Sequence, residues 1–316
     1  MRNHGDANSF NTMQYVGELF SADTSRTPLL SMTGGLTGGL QTDNEEFPTA
    51  VLLTYPSAAQ PKISENDASW GPTVSHLTRD QETNVTQIFH EAVAVTYQRL
   101  SNTGRLGGVT TLMDKAAESE LDFQIAHKLK VMARDIEYTF INGKYSKRDT
   151  VFAPNQSRGL IEACADVNNI NANNSALTKA HLSDLFRRMA DNGAYFDDMV
   201  ILVNSRQKAA ISELYASQPG FMLPQSREKA GVNVLEIDND FFKCGVVYSK
   251  FVPQDVVLIA DIAHIAPVFQ TVPGKGHLFL EELARTGASD RYQLYAQVGL
   301  AHGPAFLHGL IRGLGV

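Results

Sequence analysis

Apolar side chains recur at Ala117, Leu121, Ile125, Leu129, Met132, Ile136 and Phe140, three or four positions apart, within a stretch from Leu112 to Asn142 that holds neither Gly nor Pro. That spacing lines one face of a 3.6-residue helix and predicts a single spine over 112–142, about 45 Å long at 1.5 Å per residue. Thr111 with Asp114 has the form of a capping box, and Asn142-Gly143 gives the stop. No second helix of comparable length is predicted to pair with it.

The pattern on either side is different. Before the spine, the first 45 residues carry only short apolar runs broken by the glycines of TGGLTGG, and read as an extended arm. Pro48, Pro56, Pro61 and Pro72 then exclude helix and central strand, which leaves a long hairpin whose returning limb is expected at Asn84 to Tyr97. After the spine, Leu182, Leu185, Phe186 and Met189 define a helix over 178–192, Met199 to Val203 a buried strand, and Ser205 to Tyr215 another helix. Strands are expected at 232–237, 244–252 and 256–261. Tyr292, Leu294, Ala296, Val298 and Leu300 alternate as in a strand, and Ala305 to Ile311 is expected to return beside it after the turn His302-Gly303-Pro304. The chain reads as α+β.

Composition narrows the classes. Of 316 residues 43% are hydrophobic and 19% charged, with a formal net charge of −7. Wholesale disorder is excluded. No run approaches a membrane span, so no membrane partner is expected. The low charged fraction means a surface either neutral or covered by something else. The first 50 residues carry Arg2 and Arg26 against Asp6, Glu18, Asp23, Asp43, Glu45 and Glu46, so no basic arm is available to neutralise phosphates. Cys164 and Cys244 have no metal-site spacing and read as buried thiols.

Candidate chemistry is thin. Gly274-Lys275-Gly276 lacks the frame of a phosphate loop, and no GxSxG is present. His264, His277, His302 and His308 show no HExxH and no i, i+4 pair, and read as incidental sheet histidines. No catalytic, cofactor or metal residue is assigned. An arm, a proline-rich hairpin and a lone long helix instead describe a protein that works through contacts between its own copies, because a monomer would gain no burial from ordering them.

Four stretches in order, TPLLSMTGG at 27–35, TNVTQIFHEAVAVTYQ at 83–98, ARDIEYTFINGK at 133–144 and EELARTGASDRYQLYAQVGLAHGPAFLHGLI at 281–311, are similar to one branch of the major capsid proteins of tailed bacteriophages. That resemblance covers residues 25 to 313 and implies the Hong Kong 97-type fold. It implies an N-terminal arm at 1–46, an extended E-loop at 47–97, a peripheral domain at 98–159 built on the spine helix 112–142, an axial domain at 160–260, and return strands of the peripheral domain at 261–316.

On that reading, Lys62, Ile63, Glu65, Asn66, Asp67 and Trp70 of the E-loop contact a neighbouring subunit, while Leu121, Ile125, Leu129, Met132, Ile136 and Phe140 form the core stripe of the spine. The resemblance implies hexamers and pentamers closing an icosahedral head around double-stranded DNA, without sequence-specific binding, in a virion assembled in the host cytoplasm. It brings in scaffolding, portal and decoration proteins as partners; the short arm favours a separate scaffolding protein. Some relatives crosslink an E-loop lysine, but nothing marks a partner for Lys62, and no crosslink is expected. Two rivals remain: an encapsulin-type nanocompartment shell, and a hydrolytic or metal-dependent enzyme using the C-terminal histidines.

Overall fold

A computed structural model describes residues 26–53, 55–71, 76–98, 120–216, 226–229, 232–238, 243–285 and 287–315. The arm before residue 26 and the first turns of the expected spine, with Thr111, Asp114 and Ala117, lie outside the described residues.

Two large sheets organise the described residues. The first has five strands: β1 (Leu40–Thr42), β4 (Gln87–Thr96), β11 (Ala266–Gln270), β12 (Leu278–Glu282) and β13 (Ser289–Ala301). Strand β13 carries β4 along one edge, in register from Ser289↔Thr96 to Val298↔Gln87. Along its other edge it pairs first with β12 and then with β11. The second sheet has seven strands in the order β5 (Asn169–Ser175), β14 (Gly309–Leu314), β10 (Val257–Asp261), β6 (Met199–Val203), β9 (Lys243–Tyr248), β8 (Val232–Asp238) and β7 (Ser226–Lys229).

Runs such as MVILV and VLIAD are buried at every residue because the second sheet is covered on both faces. Val200, Leu202, Leu258 and Ala260 point into a core shared with the first sheet. Met199, Ile201, Val203, Val257 and Ile259 point the other way, onto Leu182, Leu185, Phe186 and Met189 of α5 (Lys179–Asp191) and Ile211 of α6 (Ser205–Ala216). Cys164 and Cys244 are buried thiols outside any disulfide, one in each core.

The spine is α3 (Glu120–Asn142). Its stripe is unevenly covered: Met132, Ile136 and Phe140 are fully buried against the first sheet, whereas Leu121, Ile125 and Leu129 are half-buried. The helix stops where Gly143 and Gly159 pass each other. A Cβ on Gly143 would lie 2.4 Å from the Ser157 carbonyl, so the stop depends on close approach of two stretches of backbone and not on a left-handed cap. Beyond it, α4 (Leu160–Ala163) leads into the seven-stranded sheet.

Three expectations change. The hairpin is formed by β2 (Glu46–Leu53) and β3 (Arg79–Val85), not by a limb reaching Tyr97. At Thr86, whose hydroxyl donates to Gln270 Oε1 at 2.8 Å, the chain leaves the hairpin, and β4 joins the five-stranded sheet. The last strand also differs: β14 does not return beside β13 but inserts between β5 and β10, so residues 309–314 of the expected peripheral return complete the other sheet. The arm, finally, is not extended throughout. Pro28–Met32 form a helical turn, α1, whose Leu29 and Leu30 sit in the core.

Candidate assembly surface

The hairpin is anchored at its root and bare at its tip. At the root, Asn84 is fully buried and uses both ends of its carboxamide. Its Nδ2 donates to the carbonyls of Leu300 (2.8 Å) and Arg158 (3.1 Å), and its Oδ1 accepts from the amides of Arg158 (2.8 Å) and Val85 (2.9 Å). One side chain thus ties β3, β13 and the chain after the spine. Phe47, 4% exposed, lies over Gly299, where a Cβ would come within 2.6 Å of the ring.

Glu45 and Glu46 clamp the same root to the 143–157 loop. Glu45 pairs with Arg148, and Glu46 with Lys147 and with the Thr83 hydroxyl at 2.9 Å. These bonds, led by the one to Lys147, hold the Glu46 carboxyl below the usual range. Pro48 falls at a bulge, where its missing amide leaves no gap in the ladder.

Past Leu53 every described residue up to Gly71 is exposed. The tip still has local order: Ser64 and Asp67 form a reciprocal capping box that starts α2 (Glu65–Ser69), and the bonds from Ser64 lower the Asp67 pKa. Tyr55 and Ile63 before that turn and Trp70 after it are 72%, 69% and 85% exposed among the described residues. Lys62, Glu65, Asn66 and Asp67 are exposed alongside Ile63 and Trp70, so all six predicted contact residues share one unpartnered tip. Trp and Tyr are the residue types that carry most energy when an interface covers them.

The histidines are engaged within the fold. His308 accepts from the Asp261 amide at Nδ1 (3.1 Å), which leaves its Nε2–H to donate to the His302 carbonyl at 2.5 Å. Burial lowers both pKa values to about 4. Asp197, Asp261 and His264 bring ligand-type atoms within 4.8 Å of one another. Asp261 spends its oxygens on the amides of Asp197, Asp198 and Ala263, and His264 Nε2 lies 3.1 Å from Asp197. This cluster fastens the end of β10 to the start of β6.

The family model described as SU10 major capsid protein matches residues 3–315. The chain belongs to the SU10 major capsid protein family. It is therefore a capsid shell subunit and a component of the virion. No curated protein sequence matches it. Among solved structures, this capsid protein is similar to the cyanophage A-1(L) capsid, with TM-score 0.63 and 12% identity over 97% of this chain and 98% of that one.

It is also similar to the SrpI encapsulin of Synechococcus elongatus PCC 7942, with TM-score 0.62 and 14% identity over 96% and 92% of the two chains. The capsid of the native GTA particle gives TM-score 0.58 and 11% identity over 98% and 96%. These likenesses establish the Hong Kong 97-type fold. Phage shell and encapsulin lie equally near in fold; the family match separates them.

Of the residues singled out in the sequence, Met132, Ile136 and Phe140 of the spine lie in the core and the six tip residues are exposed. Sequence reasoning missed Asn84 as the root of the hairpin and Glu137 on α3, which is fully buried. The signal for Glu137 was its place beside Ile136 and one turn before Phe140 and Ile141, on the buried face of the helix.

Proposed function

We propose that this capsid subunit assembles as hexamers and pentamers into an icosahedral head around double-stranded DNA, with the hairpin tip docking on a neighbouring copy. The observation that carries the proposal is the tip itself. It is ordered by its own capping box, it presents Tyr55, Ile63 and Trp70 to solvent, and its root is fixed by Asn84 and the Glu45 and Glu46 ion pairs. A rigid lever with a bare apolar end gains its burial from another chain.

The role is structural, not catalytic, and the contacts are non-covalent, so boiling in denaturant releases an intact monomer band. Residues 1–46, 47–97, 98–159, 160–260 and 261–316 serve as arm, E-loop, peripheral domain, axial domain and peripheral return, with 309–314 reassigned to the axial sheet. Scaffolding, portal and decoration proteins complete the head, assembled in the host cytoplasm. The acidic charge suits containment of DNA, which needs no sequence recognition.

Electron microscopy of a variant lacking residues 58–72 tests the docking. A folded subunit that forms no shell is the expected result, and normal shells overturn it. In particles from infected cells, DNA is the expected content; a co-purifying enzyme cargo would favour the encapsulin reading.

A further inference from the structure

Helix α1 has no cap of its own. Thr27, its N-cap residue, makes no side-chain bond to the helix, and Pro28 has no amide to donate. The next two amides, Leu29 and Leu30, donate instead to the two carboxylate oxygens of Glu137, at 3.0 and 2.7 Å. These are the donors that a Ser or Asp at the N-cap would take. The cap is supplied from α3, 107 positions along the chain from Leu30, by a carboxyl that is 0% exposed.

We propose that docking of the segment around α1 onto the spine helix is proton-linked through Glu137, so that this segment is held more tightly at acidic pH than at alkaline pH. With α1 in place, the Glu137 carboxyl is enclosed; lifting α1 would take away both of its amide donors and the cover that α1 gives it. Burial raises the pKa of the docked carboxyl to about 7 from an ordinary 4.5, and the two amide bonds only partly oppose it.

The docked form therefore binds the proton more tightly. Docking weakens as pH rises from 4.5 to about 7 and levels off above. Those limits correspond to a change on the order of 100-fold in the docking equilibrium between pH 5 and pH 8. Burial of the Leu29 and Leu30 side chains supplies a part that does not depend on pH.

The other titratable groups of the elements packed on α3 have partners or lie elsewhere. Glu91 of β4 pairs with Lys128 at 2.8 Å, and His90 with Gln293 at 3.1 Å. Glu162 of α4 accepts from the Tyr145 amide, Asp290 of β13 lies 3.4 Å from Arg285, and α1 carries no charge. On α3 itself, His127 bonds the Phe123 carbonyl, and the Asp135 carboxyl is raised by partial burial and by Glu91, against Arg134 and Lys128.

The test is hydrogen exchange of peptides covering 27–36 in the full chain, from pH 5 to pH 8, corrected for the intrinsic base-catalysed rate. Protection in the wild type is expected to fall on the order of 100-fold across that range. In Glu137→Gln it is expected to be flat. A flat wild-type profile overturns the proposal, and so does a slope retained in the variant, which would assign the titration to another group. Should Glu137→Gln not fold, Glu137→Leu, which keeps the buried volume and removes the proton, is expected to be flat and is read in the same way.

Discussion

Asn84 and Leu300 stand 216 positions apart in sequence, yet the Asn84 carboxamide donates to the Leu300 carbonyl at 2.8 Å inside the core. This bond and its three companions make Asn84 the pivot about which the hairpin is aimed. Asn84→Ala removes them all and leaves buried carbonyls and amides unpaired. A loss of about 2–4 kcal/mol is expected in denaturant unfolding of the unassembled subunit. Asn84→Asp should do no better, because an ionised carboxylate cannot donate to the Leu300 and Arg158 carbonyls.

Gly299 faces Phe47. In Gly299→Ala the new methyl would stand 2.6 Å from the Phe47 ring and 2.9 Å from the Val85 carbonyl, so the hairpin root must shift, at a cost of about 1–3 kcal/mol. Phe47→Leu makes room for it. A double-mutant cycle on unfolding free energy should show the pair less destabilised than the sum of the single changes.

At the tip the expectation reverses. Ile63→Ala with Trp70→Ala removes side chains that touch little in the subunit, so stability should stay within about 0.5 kcal/mol. Shell yield by electron microscopy should collapse. A stable variant that assembles normally would move the contact away from the tip.

Acid acts through His302 and His308. Their folded pKa values, about 4, lie below the ordinary 6.5, so the unfolded chain binds more protons between those limits. Stability is full above pH 6.5 and is lost as pH falls toward 4, by a few kcal/mol for the pair. Protonating His308 would also set a second N–H against the Asp261 amide. Unfolding midpoints measured from pH 7 to pH 4 should fall more gently in His308→Gln, whatever its stability at neutral pH. Glu137 runs with the opposite sign, destabilising as pH rises toward 7.

Much of this was readable from the residues alone. Met199 to Val203 is apolar on both faces and could only be a covered strand, and the repeat ending at Met132, Ile136 and Phe140 marks the buried half of the spine. The tip was visible through its prolines and turn formers. The end of the hairpin was not, because Val85 to Phe89 holds no Gly or Pro to break the run; the bond from Thr86 to Gln270 that divides the two strands is tertiary. Strand β14 was misplaced for a similar reason. His302-Gly303-Pro304 looks like a hairpin turn, but a short helical turn at Ala305–Leu307 carries the chain across to the other sheet. Glu137 sits in a charged helix, where a carboxylate reads as solvated until its two amide donors are seen.

The position of β14 also sets the order in which the subunit can be completed. Strand β5 pairs with β14 and with no other described strand, so the edge of the seven-stranded sheet stays open until residues 309–314 have left the ribosome. Helix α5 and the core it covers wait on the same event, since Ile311 and Leu314 fill that side. A chain still being translated thus lacks one wall of its larger sheet. The seven-stranded sheet is therefore finished only when residues 309–314 have been made, after every other described strand in it.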